Sequence, residues 1–246
     1  MAAHRALLRA LRQGLRAAAD PAKAKGMQAY MKSAMPYWGV QAQALRRVTK
    51  AAFAEHPLTT FEEWRDTLLT LWREAAHREE RYAAVELAGC PAYRGFQTLD
   101  TLPVYEELIV TGAWWDTVDA LASHQIGGLL RRYPQEMKPL LRAWASDGDI
   151  WKRRTAILAQ LGFKRETDLE LLYDCIRPSL GRPEFFLRKG IGWALRQYAH
   201  TDAAEIARYV RRHAALLSPL SRREALKNVD RKKPVRKPRA SSRRRA

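Results

Sequence analysis

Residues 184–199 read EFFLRKGIGWALRQYA, and this stretch decides the fold. Leu187, Ile191, Ala194, Leu195 and Tyr198 recur with the period of an α-helix, which makes one face apolar. The same period appears on working outward. Ile150, Arg154, Ile157, Leu158 and Leu161 form a second stripe, and Trp115, Val118, Asp119, Ala122 and Ile126 a third. Leu7, Leu8, Leu11 and Leu15 mark another helix face near the N-terminus. Ala, Leu, Arg and Glu dominate, all strong helix formers, and β-branched runs are nearly absent. Breakers punctuate the chain at Asp20-Pro21, Met35-Pro36, His56-Pro57, Cys90-Pro91, Leu102-Pro103, Tyr133-Pro134, Gly181-Arg182-Pro183 and Ser218-Pro219. The segments between them have the length of ordinary globular helices, about a dozen in all.

The reading is therefore all-α. Helix pairs recur at roughly 35–45 residues, the range of HEAT and armadillo repeats. Stacked pairs of that kind form a superhelical solenoid with a concave face along its length. Self-similarity between the pairs is poor, so composition alone leaves an irregular helical bundle open beside the solenoid.

Charge points to the partner. The chain carries a net charge of +18 over 246 residues. Half of the excess lies in residues 231–246, where nine Lys or Arg stand without an acid. The rest is spread over the body. A basic body with a basic tail fits a polyanion, nucleic acid before an anionic membrane. The tail from Val229 onward, rich in Pro, Ser and clustered charge, is expected to be disordered and to add salt-sensitive DNA affinity. No window approaches the roughly 18 apolar residues of a membrane span. Arg5, Arg9, Arg12 and Arg16 precede any acid, which superficially suits a transit peptide. The leucine face instead indicates a first structural helix and a cytoplasmic protein. Cys90 and Cys175 lack metal-ligand spacing and read as small hydrophobes in a reducing compartment.

Three places break the helical pattern chemically. In WWDTVD, residues 114–119, Asp119 falls among apolar neighbours, where an unpartnered carboxylate is costly. Asp116 sits in the first turn, where the helix dipole favours an anion. Arg154 is a cation on an apolar stripe and requires a carboxylate or a phosphate. A structural salt bridge between Asp119 and Arg154 satisfies both equally well. Trp193 lies off the core stripe beside Gly190 and Phe186, placed either for stacking or for a second core contact.

These residues carry a resemblance. WWDTVD at 114–119, DIWKRRTAIL at 149–158 and EFFLRKGIGWALRQYA at 184–199 resemble the AlkD-like DNA alkylation repair glycosylases. YMKSAMPYWGV at 30–40 and PLSRREALK at 219–227 are similar too, in the same order, so the likeness covers residues 25–228. It leaves an N-terminal extension before Lys25 and the basic tail outside. The resemblance implies one solenoid domain over residues 1–228 that holds duplex DNA in its concave groove, followed by the tail, 229–246. It implies hydrolysis of the N-glycosidic bond of N3- and N7-alkylated purines, with neither cofactor nor metal. The catalytic Asp falls on Asp119, the aromatic clamp on Trp115 and Trp193, and the active-site Arg on Arg154.

Arg188, Lys189, Arg222, Arg223 and Lys227 are candidates for contacts to the DNA backbone. A monomer fits a solenoid that embraces one duplex. A non-catalytic helical-repeat protein that binds DNA or RNA is the rival reading, and an acid with aromatic neighbours weighs against it. A metal-dependent nuclease is disfavoured, because clustered His and carboxylate ligands are missing.

Overall fold

A computed structural model describes residues 3–227 and Val229. Fourteen α-helices run through these residues, with no strand among them. They are α1 (Arg5–Ala17), α2 (Pro21–Met31), α3 (Ala42–Glu55), α4 (Phe61–Arg73), α5 (Arg78–Ala88), α6 (Leu102–Gly112), α7 (Trp115–Ala120), α8 (Gly127–Arg132), α9 (Pro134–Ala145), α10 (Ile150–Leu158), α11 (Leu169–Ile176), α12 (Phe185–Ala199), α13 (Ala203–Arg212) and α14 (Pro219–Leu226). A π-helical segment, Leu121–Ile126, joins α7 to α8. The breakers act as their chemistry requires. Pro21, Pro134 and Pro219 occupy the first turns of α2, α9 and α14, where a missing N–H costs nothing. Thr60, Asp149, Asp168, Asp202 and Ser218 cap α4, α10, α11, α13 and α14 through their side chains.

The helices form a ladder. α1 packs on α3, α3 on α5, α5 on α7, α7 on α10, α10 on α12 and α12 on α14. A second row backs the first: α4 on α6, and α9 on α11. This is the stacking of a HEAT-like α-solenoid, and it settles the choice against an irregular bundle. Two apolar clusters interleave through α10 and α11, where Ala156 and Leu171 belong to one and Ile157 and Leu172 to the other.

The leucine face near the N-terminus is the structural helix that its period indicates: Leu7, Leu8, Leu11 and Leu15 of α1 are buried in the first cluster. Burial of each such leucine contributes about 1.5–3 kcal/mol, so α1 belongs to the fold although it lies before the stretch that carries the resemblance. One expectation needs correction: α10 is not one-sided. Trp151 and every residue from Arg153 to Leu158 are buried, because α6, α7, α9, α11 and α12 all pack around this helix. No described helix is long and apolar enough to cross a membrane. Of the basic tail only Val229 is described, and it lies against the second cluster; the rest of that expectation falls outside the described residues.

Candidate active site

The chain turns sharply before α7. Ala113 adopts a left-handed backbone at φ 42°, and a Cβ on Gly112 would stand 2.9 Å from Thr117 Oγ1. A side chain at 112 would hold the start of α7 away from α6. The turn leaves Trp114 as the residue before α7. Its ring lies 5.1 Å from Phe186 and 6.2 Å from Trp151, and those two lie 5.0 Å apart. Three aromatic rings thus fasten α7, α10 and α12 together.

The Asp119–Arg154 pair lies at this junction. Arg154 Nε donates to Asp119 Oδ1 at 2.6 Å and Nη2 to Oδ2 at 2.8 Å, a bidentate pair. Arg154 Nη1 donates to the Phe186 carbonyl on α12. Gly190, one turn on, is close-packed over the guanidinium: a Cβ there would stand 3.1 Å from Nη1. The glycine's missing side chain therefore makes room for Arg154, whereas its place in the sequence suggested that it bares Trp193. Phe186, Gly190 and Trp193 share one face of α12, so Trp193 lies about one turn beyond the guanidinium. Trp193 is half-buried at the edge of the second cluster, and Trp115 is half-buried on α7. Tyr30 of α2, exposed to 77%, sets its ring edge-on to Trp115 at 6.4 Å.

Asp119 is ordered but not saturated. Arg154 is its only side-chain hydrogen-bond partner among the described residues, and 13% of its side chain meets solvent. Burial pushes its carboxyl above the ordinary aspartate range, with the nearby Asp116 charge adding to the effect, while Arg154 opposes both. The arrangement yields an anion of raised basicity, locked in orientation and reachable from one side. Just after Asp119 the helix loosens into the π-segment, a feature frequent at functional sites. Ser123 Oγ donates to the Asp119 carbonyl at 2.7 Å. The Gln125 amide fits between Ala120 O and Gly89 N, 3.2 Å from each.

A family model described as DNA alkylation repair enzyme matches residues 11–229. The chain belongs to the DNA alkylation repair enzyme family. A solved structure described as a predicted DNA alkylation repair enzyme from Enterococcus faecalis is similar, with a TM-score of 0.78 and 28% identity over 87% of this chain and 98% of that one. No curated protein matches significantly. The family match begins inside α1, which agrees with the burial of that helix.

Within this family member the five basic candidates stand in unlike surroundings. Lys189 pairs with Glu224 at 2.9 Å, and Arg188 Nε donates to the Arg182 carbonyl at 2.8 Å. Arg222 is half-exposed, while Arg223 and Lys227 are exposed. All five lie on or just beyond α12 and α14, which pack closely because Gly192 lacks a Cβ that would stand 2.6 Å from Glu224 Cβ.

The sequence reading missed the surroundings of Asp116. Arg78 holds it through two nitrogens, the nearer at 2.5 Å, and Tyr82 Oη donates to it at 2.6 Å. Arg78 sits in a run of charged residues, REER, that reads as a solvated helix face, and no local pattern signals that it is buried.

Proposed function

We propose that this repair enzyme is a monofunctional DNA glycosylase that hydrolyses the N-glycosidic bond of cationic N3- and N7-alkylated purines in duplex DNA. The observation that carries the reading is Asp119, a largely shielded, oriented carboxylate with unused acceptor capacity, with Trp115 one turn before it on α7 and Trp193 on α12, the helix whose Phe186 carbonyl also holds Arg154.

An alkylpurine of this class carries a positive charge and leaves as a neutral base, so the leaving group needs no strong general acid. The barrier lies in forming an oxocarbenium-like sugar and delivering water to it. Asp119 meets both needs: its charge stabilises the cationic sugar, and its raised basicity suits it to take a proton from water. Trp115 and Trp193 press their faces on the sugar and backbone, where cation–π attraction grows as charge develops. Arg154 is a positioning residue. It fixes the carboxylate plane, and its third nitrogen is committed to Phe186 O. Arg222, Arg223 and Lys227 hold the phosphate backbone, and Arg188 and Lys189 join them when DNA displaces their protein partners. The enzyme works as a monomer in the cytoplasm, associated with the nucleoid through DNA.

The test is release of free alkylpurines from methylated duplex DNA in EDTA, followed by chromatography for wild type and Asp119→Asn. Release by wild type and a steep loss in the variant, with duplex binding kept, support the reading. Tight duplex binding without any release by wild type would replace it with a non-catalytic DNA-binding role.

A further inference from the structure

Two neighbouring hollows on the N-terminal side of α7, both lined by Ala76, make up a trough. The first, about 390 Å³, lies between α1 and the start of α5, with Arg9, Arg12 and Arg16 on one side and Trp38 and His77 on the other. Those two rings stack at 4.1 Å. The second hollow, about 570 Å³, runs from Ala76 past Arg78 and Arg81 to Trp114, the residue before Trp115. The trough therefore leads from the arginine face of α1 to the edge of the candidate active site.

Its charges are unbalanced. Arg5, Arg9, Arg12 and Arg16 follow helical spacing along one face of α1, a helix that contains no acid, while the opposite face is sealed in the core. The two carboxylates that line the first hollow are already engaged. Glu80 accepts from Arg12 at 2.9 Å and from the backbone N–H groups of Ala76 and His77, and Glu74 accepts from Arg12 at 3.3 Å. Arg5, Arg9 and Arg16 have no ion-pair partner among the described residues.

Arg81 is more constrained. Its guanidinium lies 4.7 Å over the Trp72 ring, Nη1 donates to the Thr111 carbonyl at 3.2 Å, and Nε is buried without a partner. No carboxylate pairs with it among the described residues, and burial together with the Arg78 charge pulls its pKa down. A cation drawn out of water without an anion is costly, and a ligand anion removes that cost.

We propose that this trough is a rail for the sugar–phosphate backbone of duplex DNA on the N-terminal side of Asp119, with Arg9, Arg16 and Arg81 as its phosphate contacts. The inference rests on duplex DNA being the substrate and adds a second contact surface, separate from the basic residues of α12 and α14. α1 packs on α5 and α5 on α7, two spacings of about 8–10 Å each. The α1 arginines thus reach phosphates roughly five base pairs from the lesion, at about 3.4 Å per step.

The test measures binding of a 21-base-pair undamaged duplex as a function of salt, which needs no chemistry. Arg9→Gln/Arg16→Gln should lower the slope of log affinity against log salt by about 2, close to 0.9 per contact, and weaken binding at least tenfold at low salt. Arg81→Gln should lower the slope by about 1 more. A matched double variant on α13, Arg211→Gln/Arg212→Gln, should leave the slope within error, which separates position from net charge. On an 8-base-pair duplex centred opposite Asp119, the α1 variant should bind like wild type. An unchanged slope for the α1 variant on the long duplex, or an equal change in the α13 control, overturns the rail while leaving the glycosylase reading intact. Failure of wild type to bind duplex at all overturns both. Stronger binding of a structured RNA or of anionic phosphatidylglycerol vesicles than of duplex DNA reassigns the trough and overturns the proposal.

Discussion

Asp116 and Asp119 lie three residues apart on α7, and each is gripped by an arginine from another helix. Their side chains are similarly shielded, 9% and 13% exposed. Burial therefore does not distinguish them; saturation does. Asp116 accepts from Arg78 twice, from Tyr82 Oη and from the Thr117 backbone N–H. Asp119 accepts from the two nitrogens of Arg154 and from no other side chain or backbone N–H among the described residues. A carboxylate offers roughly four acceptor sites, so the first is full and the second has about half free. The first ties α5 to α7, and the second holds capacity for a ligand. On the proposed reading, two identical side chains on one helix differ in role, structural for Asp116 and chemical for Asp119, through the number of donors that meet them.

That contrast can be broken at several points. The largest effect is expected from Arg78→Ala. It leaves Asp116 as a buried charge without its cation, which costs about 3–5 kcal/mol, read in chemical denaturation. A loss under 1 kcal/mol would mean that the Asp116 network is not structural. Next, Trp193→Ala should lower single-turnover excision by about tenfold, the worth of a half-shielded cation–π contact, between its exposed and fully desolvated values. An unchanged rate would return Trp193 to the role of a core residue.

The pH dependence sharpens the same comparison. Chemistry by Asp119 needs its ionised form, so excision should fall on acidification through the raised pKa, at a pH above the ordinary aspartate value of about 3.9. Linkage has the opposite sign. A carboxyl whose folded pKa is raised favours the fold in its protonated form. Its stabilising contribution is complete below the unfolded value and is lost as pH rises through the folded value. Neutral-pH folding therefore bears the cost of this charge, and a thermal-unfolding series of Asp119→Asn against wild type should show the gap moving in the variant's favour as pH rises from 3 to 7. A gap that moves the other way would place the Asp119 pKa below the ordinary value. The smallest effect is expected from Gly190→Ala, whose Cβ would crowd Arg154 Nη1. A few-fold loss of excision rate with stability kept within about 1 kcal/mol would show that the seat of Arg154 is tuned for rate; no change in rate would show that the guanidinium has slack.

Much of this molecule is legible in its sequence. Helix starts follow from Asp20-Pro21, Tyr133-Pro134 and Ser218-Pro219, because proline supplies a first-turn residue whose missing N–H costs nothing, and Ser218 in addition accepts from the Ser221 N–H. The leucines of α1 follow from period alone. Asp119 and Arg154 stand out because a charge on an apolar stripe must be answered, and the structure brings the two together across 35 residues. Other features were closed to local pattern. The REER run gives no sign that Arg78 and Glu79 are buried, since their partners lie on α7 and in the loop before α3. The all-round burial of α10 depends on five neighbouring helices. The π-segment adds a residue per turn without a proline or glycine inside it to announce the change. Tyr198 reads as a core residue, yet it is half-buried while Ala199 is buried, a shift of one position at the end of α12.

The most direct measurement sets the two aspartates against each other: alkylpurine release and melting temperature for Asp119→Asn and Asp116→Asn, on one batch of methylated duplex. The account predicts that Asp119→Asn loses about 10²–10⁴-fold in release while melting near wild type. It predicts that Asp116→Asn melts several degrees lower yet keeps release within about tenfold at a temperature where it is folded. Full release by Asp119→Asn, or equal losses of release in two equally stable variants, would contradict it.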